Sequence, residues 1–363
     1  MNTCCGYSFS SSAETAVNEA SKDIKAPKLI IYFSKVSFFK DVTTLLKQKF
    51  PNSTIIGGTS CGEISKDGIN DGLSLIAFGE NIECKTMIME NISGAPITYI
   101  EKLKEFKKGF NTQNTIVFEM TDGLSNSEEK SIAVLNSVFE DDNIPIVGGS
   151  TADDLSFTRT FISYNGEIYS NVTIVTMLHN NNGKIRVYKE NIYEPTEREF
   201  VVTKANPHER KIYELDGKPI IDVYANSLKI SRNDIAKYFM SNPIGKIIGD
   251  ETFISSFKKI EDDGSLSLYA RIYQNSYVNI LKPKDPMKVL TNTINKAKKE
   301  IPKISGSIVV NCIFRTLLFK NTNFTNKFTN KLQDLGEFAG ITTYGEQLNN
   351  KHLNQTMVLI CFE

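Results

Sequence analysis

Three times along this chain of 363 residues an apolar, strand-like run breaks into glycine, then hydroxyl side chains, then an acid. The stretches are IIGGTSCGEI at 55–64, IVGGSTADD at 146–154 and FAGITTYGE at 338–346. Such an ending sends polar groups out beyond a sheet, and glycine lets the backbone turn or approach a neighbour closely. One copy alone is an ordinary turn. Three copies constrain the chain to a construction in which several strand ends carry polar groups able to surround a small molecule. The last copy is the most elaborate. Between 338 and 362 it carries Thr342, Thr343, Tyr344, Glu346, Gln347, His352, Asn354, Gln355 and Thr356 between two apolar runs.

The segments around these junctions alternate between strand and helix patterns. SAETAVNEASKDI reads as a short helix capped by Ser11 or Ser12, within a lead segment of residues 1–25. LIIYF is a buried strand, and FFKDVTTLLKQKF a helix ended at Pro51. LSLIAFG and CKTMIME read as adjacent strands, TIVFEMTDGLS as a strand entering a loop, and EEKSIAVLNSVFE as a helix. Asn165-Gly166, between two alternating runs, is the preferred pair for a tight hairpin. Further on, Asp285-Pro286 opens a long helix, SIVVNCIFR is a strand running into a loop, and TMVLICF is the terminal strand. Single strands alternating with helices, with hairpins interspersed, predict an α/β fold. Its mixed β-sheets are flanked by helices in two related halves, with a four-layer arrangement as one option.

Composition narrows the function classes. Lysine plus arginine and aspartate plus glutamate number 42 each, so no global field favours nucleic acid or an anionic membrane. No run reaches the roughly 20 apolar residues that span a bilayer, and the first residues lack a basic start and an apolar core. A cytoplasmic protein without membrane insertion is expected. The six cysteines have no CxxC spacing, which argues against a disulfide framework, and the three histidines are not spaced as a metal pair. The glycine-rich stretches match neither GxxxxGK[ST] nor GxGxxG, so phosphate-loop and dinucleotide chemistry has no support.

The motifs GGTSCGEI, PIVGGSTADD, NGEIYSN, YELDGKPIIDVY, NCIFR and TYGEQ…HLNQT, in this order, resemble the bacterial FIST proteins, named for F-box and intracellular signal transduction. The resemblance covers nearly the whole chain and implies an N-terminal segment over 26–215 and a C-terminal one over 216–363. It implies a sensory module for small ligands such as amino acids. It further implies a signal passed to a histidine kinase, chemotaxis transducer or cyclic-di-GMP enzyme, here expected as a separate chain. Some members resemble haem-binding nitric oxide sensors, which makes His352 the histidine to watch, although no haem-attachment spacing occurs.

The expected ligand set is Thr59, Ser60, Cys61, Glu63, Asp153, Arg315, Tyr344, Glu346, Gln347 and Asn354. A ligand with both an ammonium and a carboxylate suits it: Glu63 or Glu346 for the amine, and Arg315 at a strand end for the carboxylate. Each residue has a plainer role. Arg315 equally suits a structural ion pair, and Tyr344 a core edge. A buried cluster around Glu346 needs full hydrogen bonding with or without a ligand. Two other classes compete with sensing by ligand: a thiol enzyme using Cys61, which has no histidine beside it, and a scaffold that binds a kinase without a metabolite.

Overall fold

The strands of this protein are continuous apolar runs because their sheets are covered on both faces. The computed structural model describes residues 3–363. It contains three six-stranded mixed sheets and a fourth, antiparallel one. Each mixed sheet is centred on a parallel pair: Leu29–Lys35 with Thr54–Ser60, Thr115–Thr121 with Ile146–Ser150, and Gly306–Cys312 with Phe338–Thr343. Inner faces of all three sheets meet in one core, to which Phe33, Phe118 and Val310 contribute, and where the rings of Phe78 and Phe362 lie 4.8 Å apart. Outer faces pack against helices in three separate clusters. Among these helices, Ala13–Ala20 is capped by Ser12, whose side chain accepts from the Thr15 amide, and Pro286–Glu300 by Asp285. The fold is therefore α/β, with mixed sheets flanked by helices.

Below the level of two halves, the chain contains three repeats. Each runs edge strand, helix, strand, helix, strand, hairpin, strand, and the three edge strands are Thr3–Ser8, Ile82–Glu90 and Ile185–Asn191. Residues 3–8, which fall in the predicted lead segment, thus form the first sheet edge by pairing with Leu73–Phe78. The strands Leu73–Phe78 and Ile82–Glu90, expected to be adjacent, belong to different sheets, because one closes a repeat and the other opens the next.

The three junctions are the places where the repeats exchange hairpins. After Ser60 the chain crosses to the third sheet, where Glu63 and Ile64 pair with Ile341 and Gly340. After the second junction it crosses to the first, where Ile162–Tyr164 pairs with Gly58, Gly57 and Ile56. After Thr343 it crosses to the second, where Glu346–Leu348 pairs with Gly149, Gly148 and Val147. The exchange is cyclic and interlocks the N- and C-terminal segments. Gly148 shows why glycine is needed in these strands: a Cβ there would lie 1.8 Å from the carbonyl oxygen of Glu119.

The fourth sheet is an insertion in the third repeat, between Ile185–Asn191 and Pro286–Glu300. It is built from strands of residues 193–283 around its own core, which includes Phe200, Ile212, Tyr224 and Phe257. It lies against one end of the second and third sheets, tied there by bonds such as Ser256 N–H to Asn354 Oδ1 at 3.2 Å and Arg210 Nη2 to Glu128 at 3.1 Å.

Candidate functional site

A cavity of about 890 Å³ lies where the inserted sheet faces the carboxyl ends of the parallel strands Thr115–Thr121 and Gly306–Cys312. In open α/β sheets these strand ends are where ligands collect, because loops there are free to diverge. Two loops, two helices, one exchanged hairpin and the inserted sheet build the walls. The loop after Thr115–Thr121 gives Leu124, and the first turn of the helix Glu128–Phe139 gives Glu128. The loop after the second junction gives Leu155 and Phe157. Ile313, Phe314 and Leu317 come from the helix Ile313–Asn321, and Tyr344 and His352 from the third exchanged hairpin. The inserted sheet supplies the charges: Glu209, Arg210, Lys258, Glu261 and Arg271.

Charge is unevenly satisfied there. Arg210 spans the seam, its Nη2 donating to Glu128 at 3.1 Å and also to Glu129. Acids in a first helical turn suit the positive end of the helix as well. Burial raises the Glu129 carboxyl, but His352, Arg210 and Arg271 together outweigh it and hold the group below its ordinary value. Burial also lowers His352, which leaves the ring neutral near pH 7, so the arginines are the lasting support. Arg271 gives its backbone N–H to Glu129 at 3.2 Å, yet its Nε is buried without a partner. Among the described residues no carboxylate lies within ion-pair distance of the Arg271 or Lys258 side chains. A buried donor left open beside acids leaves hydrogen-bonding capacity unused in the cavity wall.

Residues 28–218 match the FIST N domain and residues 221–349 match the FIST C domain. The chain belongs to the FIST family. FIST domains are sensory, signal-transduction domains. An uncharacterized protein of Methanocaldococcus jannaschii is 27% identical over 338 residues, covering 84% of this chain and 64% of the relative, so the chain spans under two thirds of that protein's length.

Within this FIST structure the sequence-predicted residues divide into two groups. Tyr344 and His352 line the cavity, and Asp153 stands directly behind Tyr344, accepting its hydroxyl hydrogen. The others lie in the exchange machinery. Glu63 is buried and accepts from the Ser60 hydroxyl and from the Gly72 amide at the hairpin's base. Glu346 does the same two repeats later. It accepts from Thr343 Oγ1 at 2.9 Å, Thr356 N at 3.2 Å and Thr356 Oγ1 at 2.7 Å. Each acid thus staples its hairpin shut, and burial pushes both carboxyls up to about 8. In the middle repeat Asp122 takes that place, accepting from Thr160 Oγ1 and from the Asn171 amide. Thr59 bonds the backbone of Phe161, Gln347 Nε2 donates to Ser150 Oγ at 2.9 Å, and Asn354 holds the inserted sheet.

Arg315 is not at a strand end. It sits in the first turn of the helix Ile313–Asn321, fully buried, with its Nη2 donating to the equally buried Glu190. Burial draws its guanidinium down to about 9, opposed by the acid Glu346, so it is charged at neutral pH. Its Nε and Nη1 have no partner.

Two competing chemistries find little footing. Burial pushes the Cys61 thiol up to about 12, against the pull of Lys320 and with Asp71, Asp153 and Glu63 adding to the rise, so no thiolate forms near neutrality. Haem does not fit His352: its Nδ1 is engaged by Gln347 Nε2 at 3.3 Å, and its Cε1–Nε2 edge abuts Gly345. The ionic walls around it are also unlike a porphyrin slot. Among the described residues no group of three histidine, cysteine, aspartate or glutamate side chains is placed to hold a metal ion. No helix among them is long and apolar enough to cross a membrane.

Sequence reasoning missed Arg210, Arg271, Glu128 and Phe157. The detectable signal was slight: a pair of acids opening a helix, and apolar Leu155 and Phe157 inside the polar run DDLSFTRT.

Proposed function

We propose that this protein senses a small amino-acid-like ligand in the cavity at the seam and relays its binding to a separate protein. The buried Arg271 Nε, left without a partner in a cavity of ligand size that Glu128, Glu209 and Glu261 also line, carries the reading. Arg271 takes the ligand carboxylate, one of the acids takes the ammonium, and Leu124, Ile313 and Leu317 receive the side chain. Because these groups belong to both the inserted sheet and the body, a bound ligand favours one tilt of the sheet over others. The Arg210 bridge to Glu128 and Glu129 crosses the same seam and sets the unliganded arrangement. A histidine kinase, chemotaxis transducer or cyclic-di-GMP enzyme in the cytoplasm then reads the tilt. Of the residues predicted from sequence, Tyr344 and Asp153 serve the ligand, and Ser60, Glu63, Glu346 and Arg315 serve the frame.

Isothermal titration with the common amino acids tests this directly. At least one is expected to bind, and Arg271→Gln to weaken it by about ten- to a hundredfold, the loss of about 1.5–3 kcal/mol from a charge-assisted hydrogen bond. Binding by none, or undiminished binding by the Arg271→Gln protein, overturns the reading.

A further inference from the structure

The loop that follows the second junction holds two bulky residues in a backbone conformation that favours glycine. Leu155 has φ +66° and Phe157 φ +53°. Left-handed backbone is sterically disfavoured for such side chains, and it persists only where the surroundings impose it. Here Asp153 imposes it. Its buried carboxylate accepts from the amides of Phe157 at 3.1 Å, Thr158 at 2.8 Å and Arg159 at 3.2 Å, and from Ser156 Oγ at 2.9 Å. The hydroxyl of Tyr344 donates to the same carboxylate, so one acid aligns both the loop and the tyrosine. The product is a pair of near-parallel rings, Phe157 and Tyr344, with centroids 4.9 Å apart and planes 14° apart.

Phe157 is nonetheless 50% exposed and lines the cavity. One face of its ring rests on Tyr344, and the other is left without a stacking partner among the described residues. A second aromatic pair, Tyr269 and Phe314 at 5.3 Å, lines the same cavity. A strained, half-exposed phenylalanine gives little to stability. Stacking against a planar guest gives it a use, since an aromatic ring packs favourably against another in an offset parallel or edge-to-face arrangement. We propose that residues 153–159 form an aromatic clamp, and that the ligand of this site carries a planar aromatic group received on the Phe157–Tyr344 stack. This rests on the ligand reading above and narrows it to aromatic amino acids and close relatives.

The chain contains no tryptophan, so L-tryptophan can be followed by its own emission as protein is added. The intact protein is expected to bind tryptophan at least about tenfold more tightly than leucine, measured by competition. In Phe157→Ala the two affinities should converge. In Phe157→Gly they should also converge, while the melting temperature stays level or rises, because glycine relieves the positive φ. Tryptophan and leucine binding alike, or a preference that survives both substitutions, overturns the clamp and leaves the sensor reading intact. A melting temperature that falls in Phe157→Gly also overturns it, since the ring would then be structural. Failure of every amino acid to bind overturns both.

Discussion

Removing the charge of Arg315 alone should cost more than removing the whole ion pair it belongs to. Arg315 and Glu190 are both fully buried and touch through one nitrogen and one oxygen. Arg315 Nε and Nη1 and Glu190 Oε2 are left without partners, so three polar atoms are desolvated and uncompensated. Breaking a buried pair strands a charge, which costs about 3–5 kcal/mol, so Arg315→Met and Glu190→Leu should each lose that much. The double variant removes both charges and all three orphaned atoms. Its introduced methionine side chain packs between Phe319 and Phe328, over whose rings the guanidinium now lies. Its stability should equal that of the parent or exceed it by about 1–4 kcal/mol. Two single losses of about 3 kcal/mol each beside a double near zero leave a coupling of about 6 kcal/mol or more. Urea unfolding followed by circular dichroism measures all four proteins, with an unchanged slope confirming like transitions. A double variant as unstable as the worse single would refute the reasoning, because the pair would then be holding the helix to the strand Ile185–Asn191 in a way that packing cannot replace.

The hairpin staples make stability depend on pH in a known direction. Glu346 is held up to about 8 in the folded chain against 4.5 unfolded, so the folded state binds the proton more tightly between those values and loses stability as pH rises through them. Glu346→Gln should flatten that decline by up to about 1.4 kcal/mol per pH unit, read from unfolding midpoints across the window; a parallel decline in the variant would count against a neutral Glu346. Gly148→Ala meets a carbonyl oxygen that cannot move and should destabilise by about 1–3 kcal/mol or more. Gly345→Ala meets chiefly the His352 ring, 2.2 Å from the new Cβ, with the Leu353 carbonyl oxygen at 3.1 Å, and His352→Ala in the same chain should recover much of the loss in melting temperature. Cys61 should react slowly with a thiol reagent at mildly alkaline pH until the chain unfolds, and a fast phase abolished by Cys61→Ser would contradict its raised pKa.

Local chemistry was legible along the chain and pairing was not. The apolar run LIIYF, the Ser12 cap and the Asn165-Gly166 turn depend on neighbours within a few residues, and each element forms where the sequence places it. In that turn both central residues have positive φ, 50° and 98°, as the tight hairpin requires. The helix beginning at Ile313 has no local signal, because IFR continues the apolar strand pattern of SIVVNC without a cap or breaker. Glu63 and Glu346 stood out as acids after glycine, but their partners Gly72 and Thr356 become neighbours only once each hairpin closes.

By itself the sequence determined that three strand ends share one chemistry of glycine, hydroxyl and acid, because that chemistry is local to each junction. Only the tertiary structure decided that these ends exchange hairpins in a ring, since a strand edge accepts whichever partner the rest of the chain leaves beside it. It also tied most of the junction side chains into hairpin bonds and opened the cavity at the seam instead. Arg271, Glu128 and Phe157 are separated by long stretches of chain, and no pattern in the sequence joins them until the inserted sheet folds over the strand ends.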